Sequence, residues 1–126
     1  MIVIDTSVWI TALRHRNSPE AAEVARIVKA NVAVTAGVII GELLQGAANA
    51  AEFNSLERTL AGLHYEEITR DTWRDAGGVC HRLRKKGVTV PLPDALLAVL
   101  AIKGGHDVYS LDAHFRLIPN LHLYKP

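Results

Sequence analysis

The chain has 126 residues, 49% of them hydrophobic, and a formal net charge of +1. That length buries roughly two-thirds of the unfolded surface in one core, and the apolar content excludes intrinsic disorder. The small net charge excludes a molecule that attracts polyanions as a whole, so any nucleic-acid affinity has to come from a local patch; the single cysteine, Cys80, excludes a disulfide framework and a zinc ribbon and fits a reducing compartment.

Ile2, Val3 and Ile4 form a short apolar run that reads as a buried strand. Asp5, Thr6 and Ser7 follow at once, and Val8, Trp9, Ala12 and Leu13 then recur at helical spacing. A strand that ends in a carboxylate and two hydroxyls and turns into a helix is a site-building arrangement, because ligands of open α/β sheets lie at the carboxyl ends of the strands. Arg14 to Ser18 is a polar loop. Ser18, Pro19 and Glu20 give a capped helix start, and that helix runs to about Lys29. Val32 to Val34 is a second strand, and Thr35 is expected to cap a helix that ends near Gly46.

Further on, Ala51 to Leu60 reads as a helix and His64 to Ile68 as a third strand. Thr69 begins a long amphipathic helix to Lys86, with Gly87 as its stop. After a proline-flanked loop, Pro93-Asp94 opens a very apolar helix that ends at Gly104-Gly105. Asp107 to Leu111 is a fourth strand, Asp112 to Phe115 a short turn, and Leu121 to Tyr124 a last edge strand. Strands that alternate with helices imply crossover connections. The expected fold is therefore α/β, a three-layer α/β/α sandwich on a mainly parallel sheet, with residues 1–126 as one domain. No cationic segment precedes a long apolar stretch at the start, and the most apolar run, Ala95 to Ile102, is too short to span a bilayer. A soluble cytoplasmic protein without membrane association is expected.

Most of the 13 acidic residues lie among charges or on polar helix faces. Four do not. Asp5 follows a buried strand, Glu42 interrupts the run VIIGELL, Asp94 opens PDALLAVLAI, and Asp112 follows the strand VYSL. A carboxylate in apolar surroundings is costly unless it is paired or metal-bound. Several carboxylates brought together suit a hard cation such as Mg²⁺, which prefers oxygen ligands and activates water against a phosphoryl group. A plainer reading stands beside this one. Asp5, Asp94 and Asp112 are also placed as helix caps or first-turn acids, and Glu42 shares a helix face with Gly41, Gln45 and Asn49 that suits solvent. Thr6 and Ser110 set short hydroxyls beside two of the acids, either to fix carboxylates or to satisfy backbone groups.

In their order and spacing, VIDTSVWI, GELLQG, PDALLAVLA and SLDAHF resemble the motifs of PIN-domain ribonucleases, and most nearly the VapC-type toxins of toxin–antitoxin pairs. The resemblance extends over essentially the whole chain. It implies a Mg²⁺-dependent endoribonuclease, with Mn²⁺ as the alternative ion, built on a three-layer fold. It implies a catalytic acid set of Asp5, Glu42, Asp94 and Asp112, with Asp5, Asp94 and Asp112 as metal ligands and Thr6 and Ser110 as supporting hydroxyls. It also implies an RNA substrate, a cognate antitoxin and a homodimer. The closing segment SLDAHF departs from some relatives in carrying one acid where they have two, which leaves a second metal position open.

Arg82, Arg84, Lys85 and Lys86 are the candidate RNA-phosphate contacts, and as a helix C-terminal cluster they equally suit the helix dipole. Arg14, Arg16 and Arg116 rank behind them. His114 lies close to Asp112, within reach of substrate, with a surface or packing role as the plainer expectation; Trp9 follows the Asp5 turn and is placed to wall the pocket, with packing in the core as the favoured expectation. Two other classes compete. A phosphoryl receiver or a haloacid-dehalogenase-like phosphatase needs a late lysine or a second aspartate where this chain has Ser7. A non-catalytic PIN-like binding module keeps the fold and only docks a partner.

Overall fold

The computed structural model describes all residues, Met1–Pro126. Strands β1 (Ile2–Ile4), β2 (Ala33–Ala36), β3 (His64–Glu66) and β4 (Asp107–Tyr109) form one sheet in the order β3-β2-β1-β4. Every pairing is parallel: Val3 stands opposite Val34 on one side and Val108 on the other, and Thr35 opposite Tyr65. All-parallel sheets are covered on both faces, which is why Ile2-Val3-Ile4 can be apolar without alternation. Val3 and Ile4 are fully buried.

Helices α1 (Thr6–Arg14), α2 (Pro19–Lys29), α3 (Gly37–Gln45) and α4 (Ala50–Ala61) form one packed group, and α5 (Arg70–Lys85) and α6 (Leu92–Gly104) form another. This is the expected α/β/α sandwich. Three helix starts are held by their own side chains, since Ser18, Asn49 and Thr69 accept from the amides of Ala21, Glu52 and Thr72. α6 is apolar all round, with Ala95 to Ala101 buried, because it lies between α5, β4 and the 3₁₀ turn Ala113–Leu117. It stops where Gly105 takes a left-handed conformation at φ 69°. No helix is long and apolar enough to cross a membrane.

Two local expectations need correction. Thr35 does not cap a helix: it is buried inside β2, and α3 begins after Ala36. A β-branched residue suits either position, and pairing with Tyr65 of β3 extends the strand through it. Residues 121–124 do not form an edge strand. A single parallel bridge, Val108 to Leu123, replaces it, because left-handed Asn120 (φ 65°) turns the chain just before and Pro126 follows soon after. The tail still covers the outer edge of β4: the amide of Val108 donates to His122 at 3.0 Å and that of Tyr124 to Val108 at 2.8 Å. Tyr124 packs edge-on against Tyr109, and its hydroxyl bonds Glu23.

The strand order sets the site. The chain leaves β1 toward β2 and returns on the far side as β4, so the reversal falls beside β1. A crevice opens there at the carboxyl ends of the strands, where Asp5 and Ser110 directly follow β1 and β4.

Candidate functional site

Asp5 is only 7% exposed, although it ends a strand. Its backbone occupies the cap position of α1, where its carbonyl accepts from Val8 and Trp9. Its side chain makes no cap bond. Oδ2 instead accepts from Ser7 and Ser110, both at 2.7 Å. Those hydroxyls lie 3.3 Å apart and reach further, Ser7 accepting from the amide of Leu111 and Ser110 from that of Asp112. The cap reading of the Asp5 carboxylate is therefore replaced by an anchored carboxylate.

Glu42 leaves α3 half-buried rather than on a solvated stripe. Thr6 donates to its Oε1 at 3.4 Å. Burial and the nearby Asp5 push its pKa up, with Thr6 opposing. Asp94 stands in the first turn of α6 without capping it. Burial first, then Asp112, then Asp5 push its pKa up to about 6, against the pull of His114. Asp112 does serve as a cap, accepting from the amide of His114 at 2.9 Å. The mutual electrostatic effects make Asp5 a neighbour of both Glu42 and Asp94, and Asp94 a neighbour of Asp112; the tight group is Asp94, Asp112 and His114, whose donor atoms lie within 4.8 Å of one another.

Their bonding leaves a consistent gap. Asp5 Oδ1, Glu42 Oε2, Asp94 Oδ1 and Asp112 Oδ2 receive no donor from the protein, and no lysine or arginine pairs with any of the four. Like charges this close resist common ionisation unless a cation joins them. A set of hard oxygen donors with one free oxygen each fits a divalent cation such as Mg²⁺ or Mn²⁺.

Two residues have contacts that the sequence did not assign them. Ser7, rather than Thr6, shares Asp5 with Ser110, and Thr6 serves Glu42 instead. His114, expected at the surface or in packing, turns Nδ1 toward the acids, 2.8 Å from Asp112 Oδ1 and 3.2 Å from Asp94 Oδ2. The signal for Ser7 was its place two residues after Asp5 at a strand end. For His114 it was the pattern Asp112-x-His114.

The basic cluster lies elsewhere. Arg82, Lys85 and Lys86 line a groove of about 460 Å³ with Val79, Leu83 and Ile102, and none of the four acids borders it. Arg84, on the same last turn of α5, is exposed and does not line it. Trp9 is buried in the core, as expected.

A family model described as the PIN domain matches residues 2–121. The chain is 34% identical over 125 residues to the VapC ribonuclease Mb1587 of Mycobacterium bovis, covering 96% of this chain and 93% of that protein. It has the same identity and coverage with the ribonuclease VapC11 of Mycobacterium tuberculosis. Among solved structures, VapBC2 of Rickettsia felis bound to a promoter DNA fragment superposes with a TM-score of 0.77 at 20% identity, covering 98% of each chain. VapBC-1 of nontypeable Haemophilus influenzae gives 0.79 at 18% identity, with 99% of this chain and 98% of that one covered. At those identities the structural likeness concerns the fold.

Proposed function

The chain belongs to the PIN-domain family, in the company of the VapC ribonucleases, and from that premise we propose that it is a metal-dependent endoribonuclease, the toxin of a toxin–antitoxin pair. Residues 1–126 act as one nuclease domain. The observation that carries this reading is the group of four carboxylates at the carboxyl edge of the sheet that no lysine or arginine pairs with, each with one oxygen free of protein donors.

Asp5, Asp94 and Asp112 would hold a Mg²⁺ or Mn²⁺ ion, and Glu42 stands beside them. When bound, the ion supplies Lewis acidity toward a phosphodiester oxygen and toward the attacking water. The chain supplies orientation and proton transfer. Ser7 and Ser110 pin Asp5 Oδ2 from two sides, which fixes the direction of the free Oδ1. Thr6 holds Glu42 Oε1 and leaves Oε2 without a protein donor. A carboxylate of raised pKa is a better proton acceptor near neutrality, so Glu42 Oε2 is suited to take the proton of the attacking water. No protein nucleophile is required, and the products carry a phosphate on one end and a free hydroxyl on the other.

The RNA backbone needs cations outside the acidic crevice. Arg82, Lys85 and Lys86, with Arg84 beside them, offer a track for flanking phosphates. The partners in this reading are an RNA substrate, a cognate antitoxin and a second copy of the chain. The antitoxin is supported by similar solved structures described as a toxin–antitoxin complex of Klebsiella pneumoniae and as a member of the VapBC family of toxin–antitoxin systems of Mycobacterium tuberculosis.

The test is cleavage of mixed cellular RNA by purified protein. Cleavage is expected with Mg²⁺ or Mn²⁺ and is expected to vanish in EDTA and in Asp5→Asn. An unaltered Asp5→Asn variant would remove the site assignment, and a protein inert with every metal would favour the binding module. A small reading frame encoding a DNA-binding protein is expected immediately upstream, and co-expression with its product is expected to suppress the activity.

A further inference from the structure

We propose that His114 is a nitrogen ligand of the same metal centre and gives it a preference for Mn²⁺ over Mg²⁺; this rests on the acid site proposed above. The donor atoms of Asp94, Asp112 and His114 all lie within 4.8 Å of one another. Neighbouring ligands of an octahedral ion with bonds of about 2.1 Å stand about 3.0 Å apart. The His114 Nδ1 separations, 2.8 Å to Asp112 and 3.2 Å to Asp94, straddle that value. The oxygens that face His114, Asp112 Oδ1 and Asp94 Oδ2, are hydrogen-bonded to it, so an ion bound by all three side chains would take their place in those contacts while the other oxygen of each carboxylate stays open to the same ion or its waters.

The local chain builds this placement. Asp112 caps the 3₁₀ turn by accepting the His114 amide, so one carboxylate fixes the backbone from which the imidazole leaves. Phe115, 1% exposed, anchors the next residue in the core. The ring itself is more open, with 43% of the side chain exposed, and its Nε2 makes no bond within the protein. Nδ1 is therefore the nitrogen offered to the acids. As a plain ion pair the same ring would donate Nδ1–H to the carboxylates; as a ligand it presents a lone pair to an ion between them. Mn²⁺ shares with Mg²⁺ a preference for oxygen ligands, but as a transition metal it accepts an imidazole nitrogen more readily than Mg²⁺, which dehydrates reluctantly and keeps its waters. A site of carboxylates alone would not separate the two ions in this way.

The experiment measures binding without RNA. Mn²⁺ and Mg²⁺ are titrated separately into the full chain by calorimetry, and electron spin-echo modulation is recorded on bound Mn²⁺. The wild type is expected to show coupling to a directly bound ¹⁴N nucleus. His114→Ala is expected to lose that coupling and to bind Mn²⁺ about tenfold or more weakly, with Mg²⁺ changed by less than about threefold. His114→Asp is expected to lose the nitrogen signal and the preference for Mn²⁺. Circular dichroism in EDTA checks the fold, and His114→Gln serves if the alanine variant does not fold. If Mn²⁺ binds the wild type without nitrogen coupling while Asp94→Asn has lost Mn²⁺ binding, the ligand role of His114 is overturned and the acid site stands. If Asp94→Asn binds Mn²⁺ as tightly as the wild type, the acid site fails and this inference fails with it.

Discussion

Asp75 and Asp94 sit near the two ends of α6 and respond to their surroundings in opposite directions. Asp75, on α5, lies 2.6 Å from Lys103 at the end of α6 and 3.5 Å from Arg74. Those cations hold its pKa below the usual carboxylate range, Lys103 most strongly. Asp94, in the first turn of α6, has burial and two other acids around it, and its pKa rises to about 6. The pair Asp75–Lys103 is exposed and satisfied, as surface ion pairs are. The group around Asp94 is partly buried and has no lysine or arginine in it. A folded chain tolerates that imbalance where something outside the chain is meant to correct it.

Substitutions at the two ends separate them. The largest expected effect is on RNA cleavage: Asp94→Asn is expected to lower kcat/KM by about 10²–10³-fold, the scale of losing one electrostatic contact to the transition state, whereas Asp75→Asn leaves it within about twofold. Initial rates on one RNA substrate check both. Next is the Ser7→Ala/Ser110→Ala double variant, which removes both donors to Asp5 Oδ2 and is expected to lose about tenfold in metal affinity. Equal calorimetric titrations of double variant and wild type would show that Asp5 needs no anchoring.

A smaller effect belongs to the basic groove. Lys85→Ala/Lys86→Ala is expected to raise KM about threefold at moderate salt with kcat unchanged, and to flatten the salt dependence. The smallest effect is on stability without metal. The Asp94 pKa is raised on folding, so its stabilising contribution is complete below about pH 4 and is lost as pH rises through about 6. In EDTA at pH 7, Asp94→Asn is therefore expected to melt about 3–6 °C above the wild type, with the difference shrinking toward pH 4. Asp75 has the opposite sign, so its contribution is present at neutral pH and fades as pH falls through the carboxylate range. Because that pair is exposed, Asp75→Asn is expected to move Tm by no more than about 1 °C. Thermal melts at pH 4 and pH 7 check both signs.

The sequence revealed the four acids because each breaks an apolar run or ends a strand, and that signal is local. The parallel sheet was legible for the same reason, from continuous runs such as Ile2-Val3-Ile4 alternating with capped helices. The contacts of Ser7 with Ser110 and of His114 with Asp94 were not legible, since they depend on partners distant in the chain. Ser7 meets Ser110 only once β1 and β4 are side by side, and His114 meets Asp94 only when the 3₁₀ turn packs on α6. Thr35 was ambiguous because one residue type serves both strands and caps. The position of Lys85 and Lys86 away from the acids depended on how α5 crosses α6, which periodicity does not define.

The central claim is that the acids at the carboxyl edge of the sheet form one metal centre, while the acids along α5 do not. Calorimetric titration of Mn²⁺ into the wild type, Asp5→Asn and Asp75→Asn tests it most directly. The expected result is saturable binding to the wild type and to Asp75→Asn with the same affinity, and no measurable binding to Asp5→Asn. Equal binding by all three proteins would contradict it.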